Sequence, residues 1–207
     1  RRRRVMSALG WSALAGSASA AELASPPRFS SARPGAASVP GWRHQSLPKV
    51  PRGNQFDIVD DDGVSVLHVS SQASASSWVC AMDHAVAERP WLQWRWKVSQ
   101  ALAGSDLRSK AGDDYAARLS VLFALPPERL SLADRLRLQA ARLLSGAEVP
   151  AAALCYVWGR AQPAGSSGWN AYTDRVRMLV LDSGGLLVKG RSRMEEYKHD
   201  YAQDPAD

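Results

Sequence analysis

Strict alternation of apolar and polar residues restricts the fold of this chain more than any other feature. In residues 91–98 the apolar face comprises Leu92, Trp94, Trp96 and Val98. Residues 115–125 repeat the pattern, and their apolar face comprises Tyr115, Ala117, Leu119, Val121 and Phe123. Because successive side chains of a β-strand point to opposite faces, both segments predict half-buried strands. The chain is therefore expected to be mostly β.

Shorter apolar segments predict further strands. Residues 56–59 and 64–70 flank an Asp-Asp-Asp-Gly turn, and residues 176–182 and 186–189 flank a Gly-Gly pair, so each pair of segments predicts a hairpin. Residues 154–158 are apolar on both faces, which is typical of a central strand. Many short strands separated by Gly, Pro and Asp turns predict an antiparallel, jelly-roll-like β-sandwich with one inserted α-helix.

The inserted helix is predicted by a change of period. Ser131 and Asp134 resemble an N-terminal capping box, and an apolar stripe follows at helical spacing, formed by Leu132, Leu136, Ala140 and Leu143. The stripe predicts a helix packed over a sheet. A basic helix that lies on a membrane surface is the alternative.

Residues 1–20 have the composition of a secretory signal peptide. Four arginines precede the apolar run 5–18, and Ala18-Ser19-Ala20 has the form that a signal peptidase accepts. We therefore predict a bacterial protein of periplasmic or secreted location that begins at Ala21 after cleavage. Residues 21–40 are rich in Ala, Ser and Pro and are expected to form a linker or a lead-in strand, followed by a single domain at 41–207.

The charge of the mature chain restricts its partners. The sequence has a formal net charge of +6, but without the four leader arginines 22 basic residues face 20 acidic ones. A nearly neutral domain lacks the electrostatic footprint for a polyanion, so no nucleic acid partner is expected. No later segment is apolar enough to span a bilayer, so no membrane span is expected after removal of the signal.

The chain contains two cysteines, Cys80 and Cys155. Their even number allows a disulfide in an oxidising compartment, but both fall in strand-like segments, where buried free thiols are also common. Two distant cysteines and four scattered histidines lack the spacing of metal ligands, so neither a metal nor another cofactor is expected.

A polar face of the second alternating strand is the first candidate binding site. Asp114 and Arg118 share one parity, and Arg95 joins them if the two alternating strands pair. Such a face suits a hydroxylated or anionic ligand; a structural ion pair on a solvated sheet is the alternative. Asp113 and Asp114 are adjacent and therefore point to opposite faces, so they cannot act as a paired acid and base.

The second candidate binding site comprises Trp169, Asn170 and Tyr172. Aromatic rings stack on sugar faces, so Trp169 in a loop beside Asn170 and Tyr172 is a candidate ligand platform. Anchoring of the loop by the same side chains is equally consistent. We find no nucleophile elbow and no histidine motif, and therefore predict no catalytic residue.

Several segments carry a family resemblance. The most specific is Asp-Asp-Tyr-Ala-Ala-Arg at 113–118, and Leu-Gln-Trp-Arg-Trp-Lys-Val at 92–98, Tyr-Val-Trp-Gly at 156–159 and Asn-Ala-Tyr-Thr at 170–173 accompany it. Together they resemble a bacterial family of domains of unknown function, number 3047, which implies an exported single domain without an assigned activity. Relative to that family, residues 128–150 look like an insertion. The resemblance also implies a further C-terminal segment, so we expect one exposed strand edge.

A weaker resemblance concerns function. The order Phe-Ser, Pro-Gly-Trp, hairpin and Trp-rich strand is similar to that of jelly-roll carbohydrate-binding modules, which is an analogy of fold. We therefore expect a non-enzymatic β-sandwich that binds a glycan or a cell-envelope component. An envelope hydrolase or lyase centred on Asp114 and Arg118 is one alternative, and a structural envelope protein is another.

Overall fold

The computed structural model describes residues 25–47, 50–82, 85–125, 128, 130–145, 151–182 and 187–193. Their elements, in chain order, are a 3-10 turn at Phe29–Ser31, β1 Trp42–Ser46, β2 Gln55–Asp61, β3 Val64–Ser70, β4 Ser76–Cys80, β5 Trp91–Lys97, β6 Arg118–Phe123, α1 Leu132–Ser145, β7 Ala152–Trp158, β8 Ser167–Asn170, β9 Thr173–Asp182 and β10 Leu187–Arg193. The chain is mostly β with one short helix, as the alternation predicted. The arrangement of its sheets as a sandwich stays a prediction. The predicted signal peptide and the residues after 193 lie outside the described part of the chain.

The largest sheet has four strands in the order β6-β7-β9-β8. β6 and β7 are antiparallel, as are β8 and β9, but β7 and β9 are parallel. The prediction of a wholly antiparallel architecture is therefore wrong at the centre of this sheet. After β7 the chain forms β8, which is not adjacent to β7 in the sheet. The next strand, β9, then pairs with both of them and lies between β7 and β8, parallel to β7 and antiparallel to β8. Three two-stranded sheets, β1-β4, β2-β3 and β5-β10, contain the other described strands.

The predicted hairpin around the Asp-Asp-Asp-Gly turn is confirmed. β2 and β3 pair in antiparallel register and are joined by Asp62 and Gly63, whose φ angles are 56° and 78°. A two-residue loop with both φ angles positive matches the twist of the flanking strands. The backbone N–H of Gly63 also donates to Asp60 Oδ1 over 3.0 Å, so the first aspartate closes the turn.

β7 is the buried centre of the four-stranded sheet, as its apolar sequence predicted. Each of its seven residues is at most 1% exposed. Alternate side chains of β7 and β9 form two apolar clusters, one on each side of the sheet. We call the side of Leu154, Tyr156 and Leu179 the tryptophan face. The side of Cys155, Val157, Met178 and Val180 is the loop face.

β5 covers the tryptophan face with the parity that its sequence predicted. Leu92, Trp94 and Trp96 pack against this cluster, whereas Arg95 is exposed on the other side of the strand. The ring of Trp94 lies 4.8 Å from that of Tyr156, between centroids. β6 adds its own half-buried apolar residues to the same cluster, namely Leu119, Val121 and Phe123.

The alternation of residues 115–125 breaks at its beginning. β6 starts at Arg118, and Tyr115 packs with Leu107 in the cluster of the loop face, opposite to Leu119. The prediction that Tyr115 shares a face with Leu119 is therefore wrong. Because residues 113–117 are irregular, their side chains do not keep the parity of the strand that follows.

The last described strand, β10, does not form the predicted hairpin. β10 pairs along its whole length with β5, not with β9, and residues 183–186, which contain the Gly-Gly pair, lie outside the described residues. The chain therefore passes from the central sheet to the strand that covers its tryptophan face. Backbone pairing with β5 satisfies the hydrogen bonds that a hairpin with β9 would have satisfied.

The helix begins at the predicted capping box, but the side that it buries is opposite to the predicted apolar stripe. Ser131 Oγ accepts a hydrogen bond from the N–H of Asp134 over 3.1 Å, which caps α1. Leu138 is buried, whereas Leu132 and Leu136 of the predicted stripe are 73% and 58% exposed. The prediction that this stripe packs over a sheet is therefore wrong. An ion pair between Asp134 and Arg175 of β9 holds the other side of the helix, so that Leu138 faces inward.

The N-terminal part of the described chain has an aromatic cluster of its own. Phe29 lies 4.8 Å from Trp42 of β1 and 6.0 Å from Trp78 of β4, between ring centroids, and Phe56 of β2 lies 5.7 Å from Trp78. These contacts join the 3-10 turn, the β1-β4 pair and the hairpin. None of the described helices is long and apolar enough to cross a membrane.

Candidate functional site

Arg118 is held by Asp113 and not by Asp114. Its Nη2 donates to Asp113 Oδ1 over 2.9 Å and to the backbone oxygen of Asp113 over 3.0 Å. The side chain of Asp114 is exposed and has no ion-pair partner among the described residues. The predicted pair of Asp114 and Arg118 is therefore wrong, because these two aspartates precede the strand and do not follow its parity.

Asn170 and Tyr172 join this pair, so the structure brings the two candidate regions together. Asn170 Nδ2 donates to Asp113 Oδ2 over 2.9 Å, and its Oδ1 accepts the N–H of Tyr172 over 3.0 Å. The Tyr172 hydroxyl donates to the backbone oxygen of Lys110, whose ammonium lies 5.3 Å from the Tyr172 ring centroid. Asp113 thus bridges the start of β6 and the turn between β8 and β9.

Arg95 does not belong to this group. β5 pairs with β10, where Arg95 stands opposite Lys189, and not with β6. Arg95 points away from the tryptophan face, whereas Arg118 lies on the loop face beside Tyr115, with its Cζ 5.1 Å from that ring centroid. The central sheet therefore separates the two arginines, and the prediction that they share a polar face is wrong.

Trp169 lies in β8, an outer strand of the central sheet, so the prediction that it lies in a loop is wrong. It stands opposite Arg177 of β9, and Arg177 Cζ lies 5.2 Å from the centroid of its ring. Arg177 Nη2 also donates to Ser167 Oγ over 3.0 Å. Trp169 is 38% exposed and Tyr172 is 64% exposed, so two aromatic side chains border the end of β8.

A cleft of about 400 Å3 runs along β8. Its lining comprises Leu107, Arg108, Gln162, Ser166, Ser167, Gly168, Trp169 and Ala171. Of the sequence-predicted site residues, Trp169 lines this cleft directly, and Asn170 and Tyr172 flank its lining residue Ala171. Arg108, Gln162 and the two serines escaped prediction because they lie in loops or at the start of an outer strand, where no periodic pattern reveals their position. In the sequence, only the polar character of residues 99–112 indicated the loop that forms one wall of this cleft.

The wall formed by residues 105–112 is fixed by hydrogen bonds. Gln162 Nε2 donates to Asp106 Oδ1, and the N–H of Arg108 donates to the same oxygen over 3.0 Å. Gln162 Oε1 accepts the N–H of Leu107 over 3.2 Å. The Arg108 N–H and then the Gln162 amide lower the pKa of Asp106, because both hydrogen bonds stabilise its carboxylate.

Tyr115 lies between this wall and the sheet. It is 8% exposed, and its hydroxyl has no hydrogen-bond partner among the described residues. Burial, with a further contribution from the Asp113 charge, raises the pKa of Tyr115 to about 12. Tyr115 therefore stays neutral and fills space below Arg118.

Comparison with known proteins identifies the family. A family model described as protein of unknown function (DUF3047) matches residues 40–203, which is most of the chain. The chain belongs to this family. The resemblance noted in the sequence is thereby confirmed, and the matched DUF3047 region contains every described strand from β1 to β10 and the whole candidate site. No curated protein and no solved structure matches the chain significantly.

The two cysteines of this DUF3047 chain are free thiols. Cys155 is buried at the centre of the loop face and receives a hydrogen bond from Ser120 Oγ over 3.4 Å, whereas Cys80 lies in β4, opposite Trp42 of β1. The disulfide that their number allowed is therefore not formed in this structure. Burial raises the pKa of the Cys155 thiol. Within the described ranges, no three His, Cys, Asp or Glu side chains are grouped in a way that could hold a metal.

Proposed function

We propose that this DUF3047 protein is a non-enzymatic ligand-binding domain whose ligand is a glycan of the cell envelope, bound in the cleft along β8. The observation that carries the proposal is the pair of exposed aromatic residues at this cleft. Trp169 lines it, and Tyr172 follows the lining residue Ala171 directly. Flat aromatic rings offer sugar rings a large apolar surface at a small cost in conformational entropy.

The polar lining supports the same proposal. Ser166 and Ser167 supply hydroxyl groups, and Arg108 supplies a guanidinium, around the apolar surfaces of Leu107 and Trp169. A small number of polar groups in an otherwise apolar concavity is typical of sites for small ligands. A cleft of about 400 Å3 is large enough for one or two sugar units.

The rigidity of the wall also favours binding. Gln162 and Asp106 hold the backbone on both sides of Leu107, and the Asp113 bridge holds the turn after β8. A site that is already ordered before the ligand arrives loses less conformational entropy on binding. The same hydrogen bonds would also suit a purely structural envelope protein, in which case the cleft would bind nothing.

An envelope hydrolase or lyase on this fold is the second candidate, and the geometry favours it less. Glycosidic cleavage by a pair of carboxyl groups needs both to flank one bond. Among the described residues that line the cleft there is no carboxylate, and Asp113 is engaged by Arg118 and Asn170. The proposed role is therefore recognition of the ligand without its conversion.

The place of action is part of the proposal. The residues that support export are the four arginines, the apolar run and the Ala-Ser-Ala site of positions 1–20. An envelope glycan would be accessible to a periplasmic or secreted protein. Sequencing of the N-terminus of protein recovered from the periplasm should give a start at or near Ala21, and an intact leader on cytoplasmic protein would contradict this location.

A glycan array followed by titration calorimetry tests the function. The parent should bind a saccharide with a micromolar to millimolar dissociation constant, and Trp169→Ala should weaken binding at least about tenfold because a stacking surface is lost. Trp91→Ala is the matched control, since Trp91 of β5 is also an exposed tryptophan (48%) but does not line the cleft. Equal weakening by both substitutions, or no binding by the parent, would contradict the proposal.

A further inference from the structure

The cleft along β8 has an unbalanced charge. Its described lining contains one arginine, Arg108, and no acidic residue. A second arginine, Arg177, contacts two of the lining residues, since its guanidinium lies over the Trp169 ring and donates to Ser167 Oγ. A concave surface with cationic groups and without carboxylates attracts an anionic ligand more strongly than a neutral one.

Arg108 differs from the other arginines of this region in its contacts. Arg118 donates to Asp113, and Arg177 donates to Ser167. The side chain of Arg108 is exposed, and in the described part of the chain its guanidinium has no hydrogen-bond or ion-pair partner. Its five N–H donors are therefore accessible from the cleft, in the planar arrangement that binds a carboxylate through two parallel hydrogen bonds.

Neither Asp106 nor Asp113 forms a hydrogen bond or an ion pair with the Arg108 guanidinium, although the hydrogen bonds from the Arg108 N–H and Gln162, and then the Arg108 charge, lower the pKa of Asp106. Asp106 accepts the backbone N–H of Arg108 and the amide of Gln162 through Oδ1, so it fixes the main chain of Arg108. Asp113 binds Arg118 and Asn170. Lys110 beyond them lies over the Tyr172 ring and has no carboxylate partner among the described residues, which adds a further positive charge beside the cleft.

We infer that the ligand of this cleft is an acidic saccharide, with the carboxylate of a uronic acid unit bound by Arg108 and its sugar ring placed against Trp169. The inference rests on the proposed function and names the class of glycan. Ser166 and Ser167 are the hydroxyl partners for the sugar, because both amide atoms of Gln162 are already engaged by Leu107 and Asp106.

The test compares an acidic oligosaccharide with its neutral counterpart. Trigalacturonate and the same trisaccharide after reduction of its carboxyl groups are titrated into the purified full chain by calorimetry, at low and at high salt. We expect trigalacturonate to bind at least about tenfold more tightly, since a charge-assisted bidentate contact contributes at least that factor. High salt should reduce this preference because it screens the exposed guanidinium.

Three variants locate the preference. Arg108→Gln should abolish the tenfold difference between the two trisaccharides, and Arg108→Lys should restore part of the difference because it keeps the charge but not the planar donors. Arg95→Gln is the matched control, an exposed arginine on the outer side of β5 that should leave both affinities unchanged. A circular dichroism melt for each variant shows that the fold is retained.

The outcomes separate this inference from the proposed function. Equal affinity of the parent for both trisaccharides, or an unchanged preference in Arg108→Gln, overturns the assignment of an acidic ligand and leaves glycan binding standing. Binding of neither trisaccharide, with no glycan bound on the array, overturns both. Loss of the preference in Arg108→Gln and not in Arg95→Gln, with binding of trigalacturonate by the parent, supports both.

Discussion

The two faces of the central sheet are covered by different kinds of structure. On the tryptophan face the regular strand β5 packs against β7, with Trp94 in contact with Tyr156 and Trp96 in contact with Trp158. On the loop face the irregular residues 99–117 supply Leu107 and Tyr115. The candidate site lies at the outer strand β8, where its cleft is lined both by Leu107 of the loop face and by Trp169, whose register with Arg177 places it on the tryptophan face. Loops can present polar groups in arrangements that the fixed alternation of a strand does not permit.

Both faces contain buried polar atoms that have no hydrogen-bond partner among the described residues. The buried Nε1 atoms of Trp94 and Trp96 have no hydrogen-bond partner among the described residues, which is the result of placing two indoles between closely packed strands. On the loop face the buried Tyr115 hydroxyl is the corresponding atom. The main-chain groups of the loop are satisfied by side chains such as Gln162 and Ser109. We expect the packed strands of the tryptophan face to contribute most of the stability, and the ordered loop 105–112 to contribute to binding as one wall of the cleft.

The largest effect should come from the tryptophan face. Leu154→Ala removes a fully buried side chain of β7 and should lower the free energy of unfolding by about 2–5 kcal/mol, since a cavity remains in the core. Leu122→Ala is the control, because Leu122 of β6 is 56% exposed and should change stability by about 0.5 kcal/mol or less. Urea denaturation measures both, and similar losses would show that the two-cluster description of the core is wrong.

A smaller loss of stability, together with a loss of binding, should come from the loop face. A Cβ at Gly112 would lie 2.7 Å from Asp106 Cβ and 2.8 Å from the Asp106 nitrogen, so Gly112→Ala must displace the wall of the cleft. We expect a loss of about 1–3 kcal/mol and at least tenfold weaker saccharide binding. Gly104→Ala in the same loop has open space and is the matched control. Unchanged saccharide binding in Gly112→Ala would show that this loop does not form part of the binding site.

The smallest effect concerns the pH dependence of the loop face. The pKa of Tyr115 is raised to about 12 from an ordinary value of 10, so its neutral form stabilises the fold below pH 10, and this contribution is lost between about pH 10 and pH 12 as the unfolded chain ionises first. Tyr115→Phe also removes an unpartnered buried hydroxyl and should be more stable than the parent by about 1 kcal/mol at pH 8. Its advantage should increase above pH 10. A difference that is constant from pH 8 to pH 11.5 would contradict the assigned burial of the phenol.

The difference between the regular strands of one face and the irregular residues of the other also explains which features could be predicted from the sequence. The period of two predicted β5 and its half-buried tryptophans, and the apolar residues on both faces of β7 predicted a central strand. The Asp-Asp-Asp-Gly turn predicted the hairpin of β2 and β3. These features are local, because side-chain direction and turn geometry depend on neighbours in the chain.

The incorrect predictions all depend on which segments meet in space. The parallel contact of β7 with β9, the pairing of β10 with β5 and the outward stripe of the helix are decided by tertiary packing. In the candidate site, Arg118, Asn170 and Tyr172 were predicted, but their bridge through Asp113 depends on an irregular path before β6. Arg108 had no local signal, since an arginine in a polar loop is ordinarily solvated.

Hydrogen exchange on the full chain, measured by mass spectrometry with and without trigalacturonate, tests the central claim most directly. The account predicts that the ligand slows exchange in residues 105–113 and 167–172, which form the wall of the cleft and the strand beside it. Exchange in β2 and β3 should be unchanged, since their hairpin lies outside the cleft lining. Protection confined to the aromatic cluster of the N-terminal part, with none in residues 105–113, would contradict the assignment of the binding site to the cleft along β8.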